Sequence, residues 1–353
     1  MVQEHLERMA ATIREAAAQK RPLCIRGGGT KDFYGGPLHG ERFDTTSYHG
    51  VIDYEPTELV LTARCGTPLS EIESTLTAQR QMLAFEPPHF GPAATLGGCI
   101  AAGLSGPRRA QAGAVRDFVL GVRLLDGQGS ALRFGGQVMK NVAGYDVSRL
   151  MAGSLGTLGV ILEASLKVLP LPAAETTVRR EQSQPEALAL MNEWAGQPLP
   201  ISATCHVGSL LYVRLSGAPA AVRAARERIG GEEIESASGF WRALREHEHE
   251  FFRLPGALWR LSLKPTTPPL NLSGQQALEW GGALRWLKSD AAPDAIRAAA
   301  VFGGGHATLF RTGHEKPEPF QPLAPGLETL HRRLKASFDP GGIFNRGRLY
   351  PWL

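Results

Sequence analysis

Glycine recurs every few residues between positions 95 and 159 of this 353-residue chain, and this spacing constrains the fold more than any other feature. The run begins at Thr95-Leu96-Gly97-Gly98 and alternates with apolar segments such as 118–125. Glycine adopts positive φ easily and lets the backbone approach a ligand closely, and strand-like segments between glycines indicate short strands joined by tight turns. Two interpretations stay open: a scaffold folded around a large ligand, and a turn-rich β domain without one.

Composition and charge exclude one class of partner. The net charge of +4 comes from 38 basic and 34 acidic residues, and the basic residues occur in isolated pairs such as Arg108-Arg109 and Arg332-Arg333. A nucleic-acid surface would need a basic stripe interleaved with aromatic side chains, so none is expected. The length allows two domains, or one large domain with an added lobe.

Cysteine usage and hydropathy predict a cytoplasmic protein. No apolar run approaches the roughly 20 residues that a membrane span needs, and residues 1–6 lack the start of a signal peptide. The four cysteines show no Cys-x-x-Cys spacing, which argues against an iron–sulfur cluster or a metal site built from this chain alone. They are Cys24, Cys65, Cys99 and Cys205.

A second glycine cluster follows a short apolar segment near the N-terminus. Residues 22–25 predict a strand that leads directly into Arg26-Gly27-Gly28-Gly29-Thr30-Lys31. Consecutive glycines can turn their N–H groups toward one point and leave room for phosphate oxygens, so the segment indicates a phosphate cradle. Its residue order is neither that of a Walker loop nor that of a Rossmann fingerprint, and a plain tight turn remains the alternative.

Several motifs, in order and spacing, resemble the FAD-binding domain of the vanillyl-alcohol-oxidase type of flavoprotein. Within that family, the chain is most similar to the E subunits of glycolate oxidases, and the similarity thins between about 175 and 275. The motifs shared with the wider family are 26–30, 95–98, 115–121, 140–146, 153–160 and 339–345, and those shared with the E subunits are 86–89, 106–109, 140–146 and 280–288.

The resemblance implies an α+β fold: a two-lobed FAD-binding domain of the PCMH/vanillyl-alcohol-oxidase type with an α+β cap domain on the substrate side. The stiff segment Leu169-Pro170-Leu171-Pro172 marks the boundary. The predicted units are therefore 1–170 for the FAD-binding domain, 171–317 for the cap and 318–353 for a return to the FAD-binding domain. The residue patterns predict helices at 4–19, 185–194, 220–229 and 327–338, and strands at 58–63, 210–215, 258–263 and 307–310.

The same resemblance implies which residues hold FAD. The first glycine loop would bind the pyrophosphate, the second would wrap its other side and the flavin edge, Gly159 and Val160 would lie at the adenine end, and the C-terminal segment would return toward the isoalloxazine. For Arg116, flavin contact and an ion pair with Asp117 are equally open. The implied contacts are Arg26, Gly27, Gly28, Gly29, Thr30, Lys31, Pro87, Thr95, Leu96, Gly97, Gly98, Ala101, Ala102, Ser105, Gly106, Arg116, Gly159, Val160, Asn345 and Arg348.

Two departures from the family pattern matter. Members that bond the flavin covalently often carry histidine just after the first glycine loop, where this chain has Thr30 and Lys31, so a dissociable FAD is predicted. The usual terminal proline is replaced by Arg346, which loosens the turn that positions Arg348.

Candidate catalytic residues in the cap are few. Arg285 could bind a substrate carboxylate, because its fork matches two oxygens, and His306, after three glycines, could accept a hydroxyl proton; a core or interface position is the bland alternative for His306. Trp280 and Trp286 lie in the same segments. His247 and His249 fall in a charged run that is predicted to be a solvated helix face rather than a metal site, and no metal is expected.

Three functions stay open. The leading one is the FAD-binding subunit of a complex that oxidises glycolate to glyoxylate, beside a second flavin subunit and an iron–sulfur subunit. Such a complex would contact the inner face of the cell membrane only through its partners. The alternatives are a self-sufficient FAD-dependent oxidoreductase of small 2-hydroxy acids or alditols, and a non-catalytic assembly subunit.

Overall fold

The computed structural model describes residues 2–136, 146–313 and 318–353, so residues 140–145 of one family motif lie outside the described residues. In this part of the chain, no helix is both long and apolar enough to cross a membrane. The helices predicted from sequence are confirmed. The helices are α1 (Val2–Ala18), α2 (Leu69–Ala78), α3 (Leu96–Ala102), α4 (Arg109–Ala112), α5 (Val115–Phe118), α6 (Val147–Leu150), α7 (Gln184–Ala195), α8 (Pro219–Ile229), α9 (Ser238–Arg245), α10 (Pro293–Phe302) and α11 (Pro325–Phe338).

The strands form two large antiparallel sheets and two short pairs. The five-stranded sheet has the order β3-β4-β8-β6-β7, and the eight-stranded sheet has the order β13-β10-β12-β11-β15-β16-β14-β17. The strands are β1 (Leu23–Arg26), β2 (Glu41–Asp44), β3 (Val51–Glu55), β4 (Val60–Arg64), β5 (Gln81–Met82), β6 (Val119–Leu125), β7 (Ala131–Gly135), β8 (Val160–Lys167), β9 (Leu169–Pro170), β10 (Ala174–Glu181), β11 (Ile201–Val207), β12 (Leu210–Gly217), β13 (Glu232–Glu233), β14 (Ala257–Ser262), β15 (Gln275–Glu279), β16 (Leu284–Ser289) and β17 (His306–Arg311).

The first lobe packs helices α2 and α3 against the five-stranded sheet. Helix α2 buries Leu69, Ile72 and Leu76, which share one face at helical spacing. Its N-cap is Pro68, without a side-chain cap. Thr67 instead accepts a hydrogen bond from the Gly50 N–H and donates one to the Arg64 carbonyl, so it fixes the preceding turn.

The C-terminal segment is locked into the same lobe. Phe344 forms an isolated parallel bridge with Leu23 beside the β1–β2 pair. The Lys335 ammonium donates to the carbonyls of Thr157 and Phe344 and pairs with Asp339 at 2.7 Å. These bonds bring the end of the chain back to its beginning.

The eight-stranded sheet, built from residues 174–311, separates two environments. Its outer face packs on helices α7, α8 and α10. Its inner face carries an aromatic cluster that contacts the first lobe through Tyr34, Leu104 and Leu155. Because side chains alternate along a strand, each strand contributes to both faces. The α+β class is confirmed, and the domain boundaries stay a prediction.

Candidate active site

The first glycine loop follows β1 and lines a cavity of about 80 Å³, here called the loop cavity. The N–H groups of residues 27–31 donate to no group in the described part of the chain. Backbone donors that are half-buried and unpaired are uncommon, and a run of them forms a concave site for an anion. The loop therefore fits a diphosphate.

Protein packing explains part of the glycine requirement. A Cβ on Gly28 would lie 1.5 Å from the Ala93 carbonyl oxygen, and one on Gly27 would lie 2.4 Å from Thr95 Oγ1. At Gly98 a Cβ would meet only Thr95 Oγ1, at 3.3 Å. Gly98 lines the loop cavity and a second, adjacent cavity. A side chain at Gly98 would therefore project into the space that a ligand needs.

The charged side chains of the loop have protein partners. The Arg26 guanidinium pairs with Asp32, which raises the pKa of Arg26. The Lys31 ammonium donates to the His89 carbonyl at 3.2 Å, and burial lowers its pKa. Both residues line the loop cavity. Its unpaired donors are the backbone N–H groups and the buried Nε of Arg26.

The second loop contributes surface rather than donors. The N–H groups of Leu96, Gly97 and Gly98 donate to Thr67 O, Cys65 O and Thr95 Oγ1. Thr95, Gly98, Ala101 and Ala102 line the loop cavity. Of the other predicted contacts, Leu96, Val160 and Pro87 are buried outside the cavity walls.

A second cavity of about 60 Å³, the inner cavity, shares Gly98, Ala101 and Asn345 with the loop cavity and reaches Gly159. The Asn345 amide is buried and committed to the protein: it accepts from the Ile25 N–H and donates to the Leu155 carbonyl, both at 2.6 Å. Asn345 therefore holds the inner cavity together.

Arg348 plays a similar part. Its guanidinium donates to the carbonyls of Asp32, Tyr34 and Gly36, and burial lowers its pKa. Arg348 lines the loop cavity. Because Arg348 binds the carbonyls of residues 32–36, it fixes the segment that directly follows the first glycine loop.

A third cavity of about 200 Å³, the cleft cavity, lies between the first lobe and the inner face of the cap sheet. Ser105 lines it and accepts a hydrogen bond from the Val115 N–H. The predicted contact Arg116 also lines it; its side chain is 63% exposed and lies 3.9 Å from Asp117. The guanidinium of Arg109, over the Trp280 ring at 4.4 Å, and that of Arg260 complete a basic wall.

A fourth cavity, the sheet cavity, lies against the inner face of the cap sheet and shares Ser105 and Arg260 with the cleft cavity. Its wall includes the predicted contact Gly106, whose carbonyl accepts from Trp280 Nε1. It also includes Glu279 and His247. Trp286 Nε1 donates to Glu279 at 2.7 Å, and burial raises the pKa of Glu279 to about 7.

Glu86 joins the two lobes beside these cavities. Its carboxylate accepts from the Arg108 backbone N–H at 2.8 Å and pairs with the cap residue Arg214 at 2.8 Å. Burial alone would raise the pKa of Glu86, but Arg214 and Arg108 outweigh it and lower the pKa. The 86–89 segment thus contains a buried ionic link between domains.

The two predicted catalytic residues of the cap do not meet at the cavities. Arg285 is fully buried on the other face of the sheet, and its guanidinium donates to the carbonyls of Gly282, Pro268 and Thr267. His306 is exposed at the start of β17. Arg285 therefore has a structural role. His306 is not a core residue, and its role as a base or an interface residue stays a prediction.

The predicted solvated helix face at 245–250 is also wrong. Helix α9 ends at Arg245, and the His247 ring stacks on Phe252 with centroids 3.9 Å apart. His249 accepts from the Phe251 N–H and caps a short 3-10 turn. Among the described residues, no group of three or more His, Cys, Asp or Glu could hold a metal ion.

Arg260 and Glu279 were not predicted as site residues, although a feature of the sequence indicates them. Each is a charged residue inside an apolar strand segment, at 258–261 and at 277–280. A charge in such a position is rare unless it is paired or functional. Glu86 carried no comparable signal, because it lies in a loop segment.

Comparison with known proteins identifies relatives of the whole chain and of its first part. Residues 2–135 match the family described as FAD binding domain. The chain is 50% identical to the glycolate oxidase subunit GlcE of Escherichia coli over 347 residues, with 98% of each chain covered. It is 33% identical to a D-lactate dehydrogenase of Archaeoglobus fulgidus over 46% of this chain and 37% of that protein.

Among solved structures, an alkyldihydroxyacetonephosphate synthase superposes with a TM-score of 0.67 and 17% identity, over 96% of this chain and 75% of that one. At this identity the match shows a shared fold. Together with the family match, it confirms the predicted FAD-binding fold.

Proposed function

This chain belongs to the family of the glycolate oxidase subunit GlcE, and on that premise we propose that it is the FAD-binding subunit of a complex that oxidises glycolate to glyoxylate. It is an FAD-dependent oxidoreductase subunit by its family and its FAD binding domain. The observation that carries the proposal is the row of unpaired N–H groups at 27–31, which suits the diphosphate of FAD.

The loop cavity shares lining residues with both the inner cavity and the cleft cavity, and their order suggests which part of FAD each would hold. The glycine loop would hold the diphosphate, the inner cavity near Gly159 the adenosine side, and the cleft cavity beyond Ala102 the ring side. When bound, FAD supplies an acceptor for a hydride, which carries two electrons. Asn345 and Arg348 keep the loop in shape through the carbonyls and N–H groups they bind.

We propose that the FAD is dissociable. Thr30 and Lys31 follow the glycine loop, and neither forms a covalent flavin link of the histidyl type. In the described part of the chain, the walls of the loop cavity and the inner cavity contain no histidine or cysteine. Acid precipitation should therefore release all the flavin into the supernatant.

The proposal includes partners. A glycolate oxidase subunit GlcD of Bacillus subtilis is 42% identical to this chain over 84 residues, 18% of its own length, so a second, related flavin subunit is a fitting neighbour. The four cysteines here are buried and unpaired with one another. An iron–sulfur partner would then pass electrons onward, and the complex would sit in the cytoplasm against the inner face of the cell membrane.

Replacement of one glycine tests the cofactor site. The Gly28→Ala chain should lose bound FAD, because the added Cβ displaces the loop from the Ala93 carbonyl. Gly239→Ala is the matched control, since Gly239 lies in α9 and its Cβ would meet nothing within 4 Å. Flavin content per chain is measured by absorbance after purification. Equal FAD content in the two variants would contradict the assignment of the loop.

Reconstitution tests the place in a complex. Steady-state, glycolate-dependent reduction of an electron-accepting dye should need this chain together with its partner subunits, because the partners would carry electrons from the flavin to the dye. It should be lost when Gly28→Ala replaces the wild-type chain. A chain that never binds FAD, yet restores full activity, would instead be an assembly subunit.

A further inference from the structure

Arg260 is a half-buried cation that has no hydrogen-bond or ion-pair partner among the described residues. It lies in the middle of β14, on the inner face of the cap sheet. Its guanidinium forms no hydrogen bond and no ion pair with any residue in ranges 2–136, 146–313 and 318–353, and it lies over the Trp280 ring at 5.3 Å. Burial lowers its pKa. A guanidinium in this position can bind an anion from the cavity without giving up a protein partner.

Glu279 is a buried acid with one free oxygen. Its Oε1 accepts from Trp286 Nε1, while Oε2 has no hydrogen-bond partner among the described residues. It lies at the end of β15, two strands from Arg260, with β16 between them. Both residues line the sheet cavity, which has a volume of about 20 Å³ and shares Ser105 and Arg260 with the larger cleft cavity. A ligand in the cleft cavity can therefore reach the Arg260 guanidinium, with the carboxyl group of Glu279 in the adjoining wall.

The position of these cavities relates them to the cofactor site. The cleft cavity shares Ala102 with the loop cavity, and the sheet cavity shares Ser105 and Arg260 with the cleft cavity. The cleft wall carries Arg109 as a further cation, whose pKa is lowered by burial and then by Arg260. The walls are therefore electropositive where the two lobes meet, which favours an anionic ligand.

We propose that this subunit binds the substrate itself: Arg260 holds the carboxylate of a small 2-hydroxy acid, and Glu279 accepts the proton of its hydroxyl group. The inference rests on the proposed function, because it places a substrate beside the FAD-binding cavities. Arg260 suits the task since its planar fork matches two carboxylate oxygens. A basic oxygen within reach of the hydroxyl is what such an oxidation requires.

The chemistry balances with these two residues. Oxidation of a 2-hydroxy acid breaks the O–H bond and the C2–H bond and forms the C=O bond of a 2-oxo acid. The proton goes to a Glu279 oxygen, and the two electrons leave C2 with the hydride, for which the proposed function already supplies the acceptor. Arg260 stays bound to the carboxylate throughout.

The protonation of Glu279 sets the pH dependence. Burial raises its pKa to about 7, with Glu86 raising it further and Arg260 and Arg214 lowering it. Cys205 faces Glu279 from β11, and Arg245 and His247 share the cavity wall. Burial, then Arg311, keeps the pKa of His247 well below its usual value, so that ring stays neutral. Proton acceptance by Glu279 therefore increases as the pH rises through about 7.

Binding of oxalate, a dicarboxylate that this chemistry cannot oxidise, tests Arg260 without turnover. Oxalate is titrated into the FAD-loaded chain and followed by calorimetry and by the flavin spectrum. Arg260→Gln should weaken binding at least tenfold, and Arg260→Lys should recover part of it, while the FAD content stays unchanged. Arg311→Gln is the matched control: it removes a half-buried guanidinium from β17 that packs on Phe33 and lines neither cavity.

The outcomes separate this inference from the proposed function. Unchanged oxalate affinity in Arg260→Gln, or a wild-type chain that holds FAD and binds no oxalate, overturns the inference and leaves the proposed function standing. Loss of FAD from Arg260→Gln with oxalate affinity retained also overturns it, because Arg260 would then serve the cofactor. A wild-type chain without FAD contradicts the proposed function, and oxalate calorimetry on that chain still decides for or against Arg260.

The role of Glu279 has its own readout. The rate at which glycolate reduces the flavin should rise with pH through about 7 in the wild-type chain. Glu279→Gln should flatten this rise and slow reduction at least a hundredfold, while oxalate still binds. A Glu279→Gln variant with the wild-type pH profile would overturn the role of Glu279.

Discussion

Arg285 and Arg260 lie on neighbouring strands of one sheet and face opposite sides of it. They differ in their partners, and this difference distinguishes a structural residue from a functional one. Arg285 donates to three backbone carbonyls on the outer face. Arg260, on the inner face, has only an aromatic ring. Arg285 is fully buried and Arg260 is half-buried. What distinguishes Arg260 as a functional candidate is the absence of a protein partner within the described residues.

The same difference separates the two glycine-rich loops. The N–H groups of Leu96, Gly97 and Gly98 are used within the first lobe, whereas those of residues 27–31 have no partner among the described residues. The first loop therefore offers hydrogen-bond donors to a ligand, whereas the second loop only lines the cavity. In both pairs, the group that lacks a protein partner faces a cavity.

The largest expected effect comes from breaking a charge that is fully partnered. Glu86→Gln leaves Arg214 and Arg108 with Glu175 as the one carboxylate that they still share. The unbalanced charge should cost about 3–5 kcal/mol of unfolding free energy. Chemical denaturation at pH 7 measures it. Because the folded-state pKa of Glu86 is lowered, the wild-type chain should lose this contribution as the pH falls through that pKa, so the two proteins converge in acid. A constant difference down to low pH would contradict the ionic link.

Arg285→Gln should cause the next largest loss of unfolding free energy. The shorter side chain leaves buried carbonyls of Thr267 and Pro268 without donors, which costs about 3 kcal/mol. Oxalate affinity of the folded protein should not change, because Arg285 lines none of the four cavities. If Arg285→Gln lost oxalate binding and kept its stability, Arg285 would be the carboxylate-binding residue, and the structural role assigned to it would be wrong.

Glu279→Gln should change how stability depends on pH. A folded-state pKa of about 7 lies above the ordinary 4.5, so the wild-type chain is most stable below pH 4.5 with respect to this group and loses stability as the pH rises through 7. At pH 8 the variant should be more stable by on the order of 2–3 kcal/mol, since glutamine still accepts from Trp286. Parallel stability curves for the two proteins between pH 5 and 8 would contradict the buried position of an ionisable Glu279.

Arg260→Met should have the smallest effect and the opposite sign to that of Arg285→Gln. It removes an unpaired, half-buried charge and loses the contact with Trp280, so it should raise the unfolding free energy by at most about 1 kcal/mol. Thermal unfolding measures the change. A loss of more than about 2 kcal/mol would mean that Arg260 has a structural role.

Much of the first lobe was predictable from sequence, because its signals are local. The strand at 22–25, the glycine loop and the helix at 4–19 each depend on neighbouring residues only. The final helix was likewise evident from its spacing and is observed as Pro325–Phe338. The motifs that resemble a known family then gave the cofactor.

The catalytic residues of the cap were harder, because their roles depend on which face of a strand each side chain occupies. Trp280 has a positive φ of 56° at a sharp turn before β16, which interrupts the alternation from Glu279 to Arg285. The local pattern thus gave no reason to prefer Arg260 over Arg285. His247 was misjudged for a related reason: α9 ends two residues earlier, so its ring turns inward onto Phe252.

Anaerobic mixing of the purified, FAD-loaded chain with glycolate tests most directly the central claim that one chain joins an FAD site to a carboxylate site. We expect the flavin absorbance to bleach in the chain alone, within the turnover time of the complete complex, and to bleach much more slowly in Arg260→Gln at equal FAD content. Flavin that stays oxidised until partner subunits are added would contradict the claim.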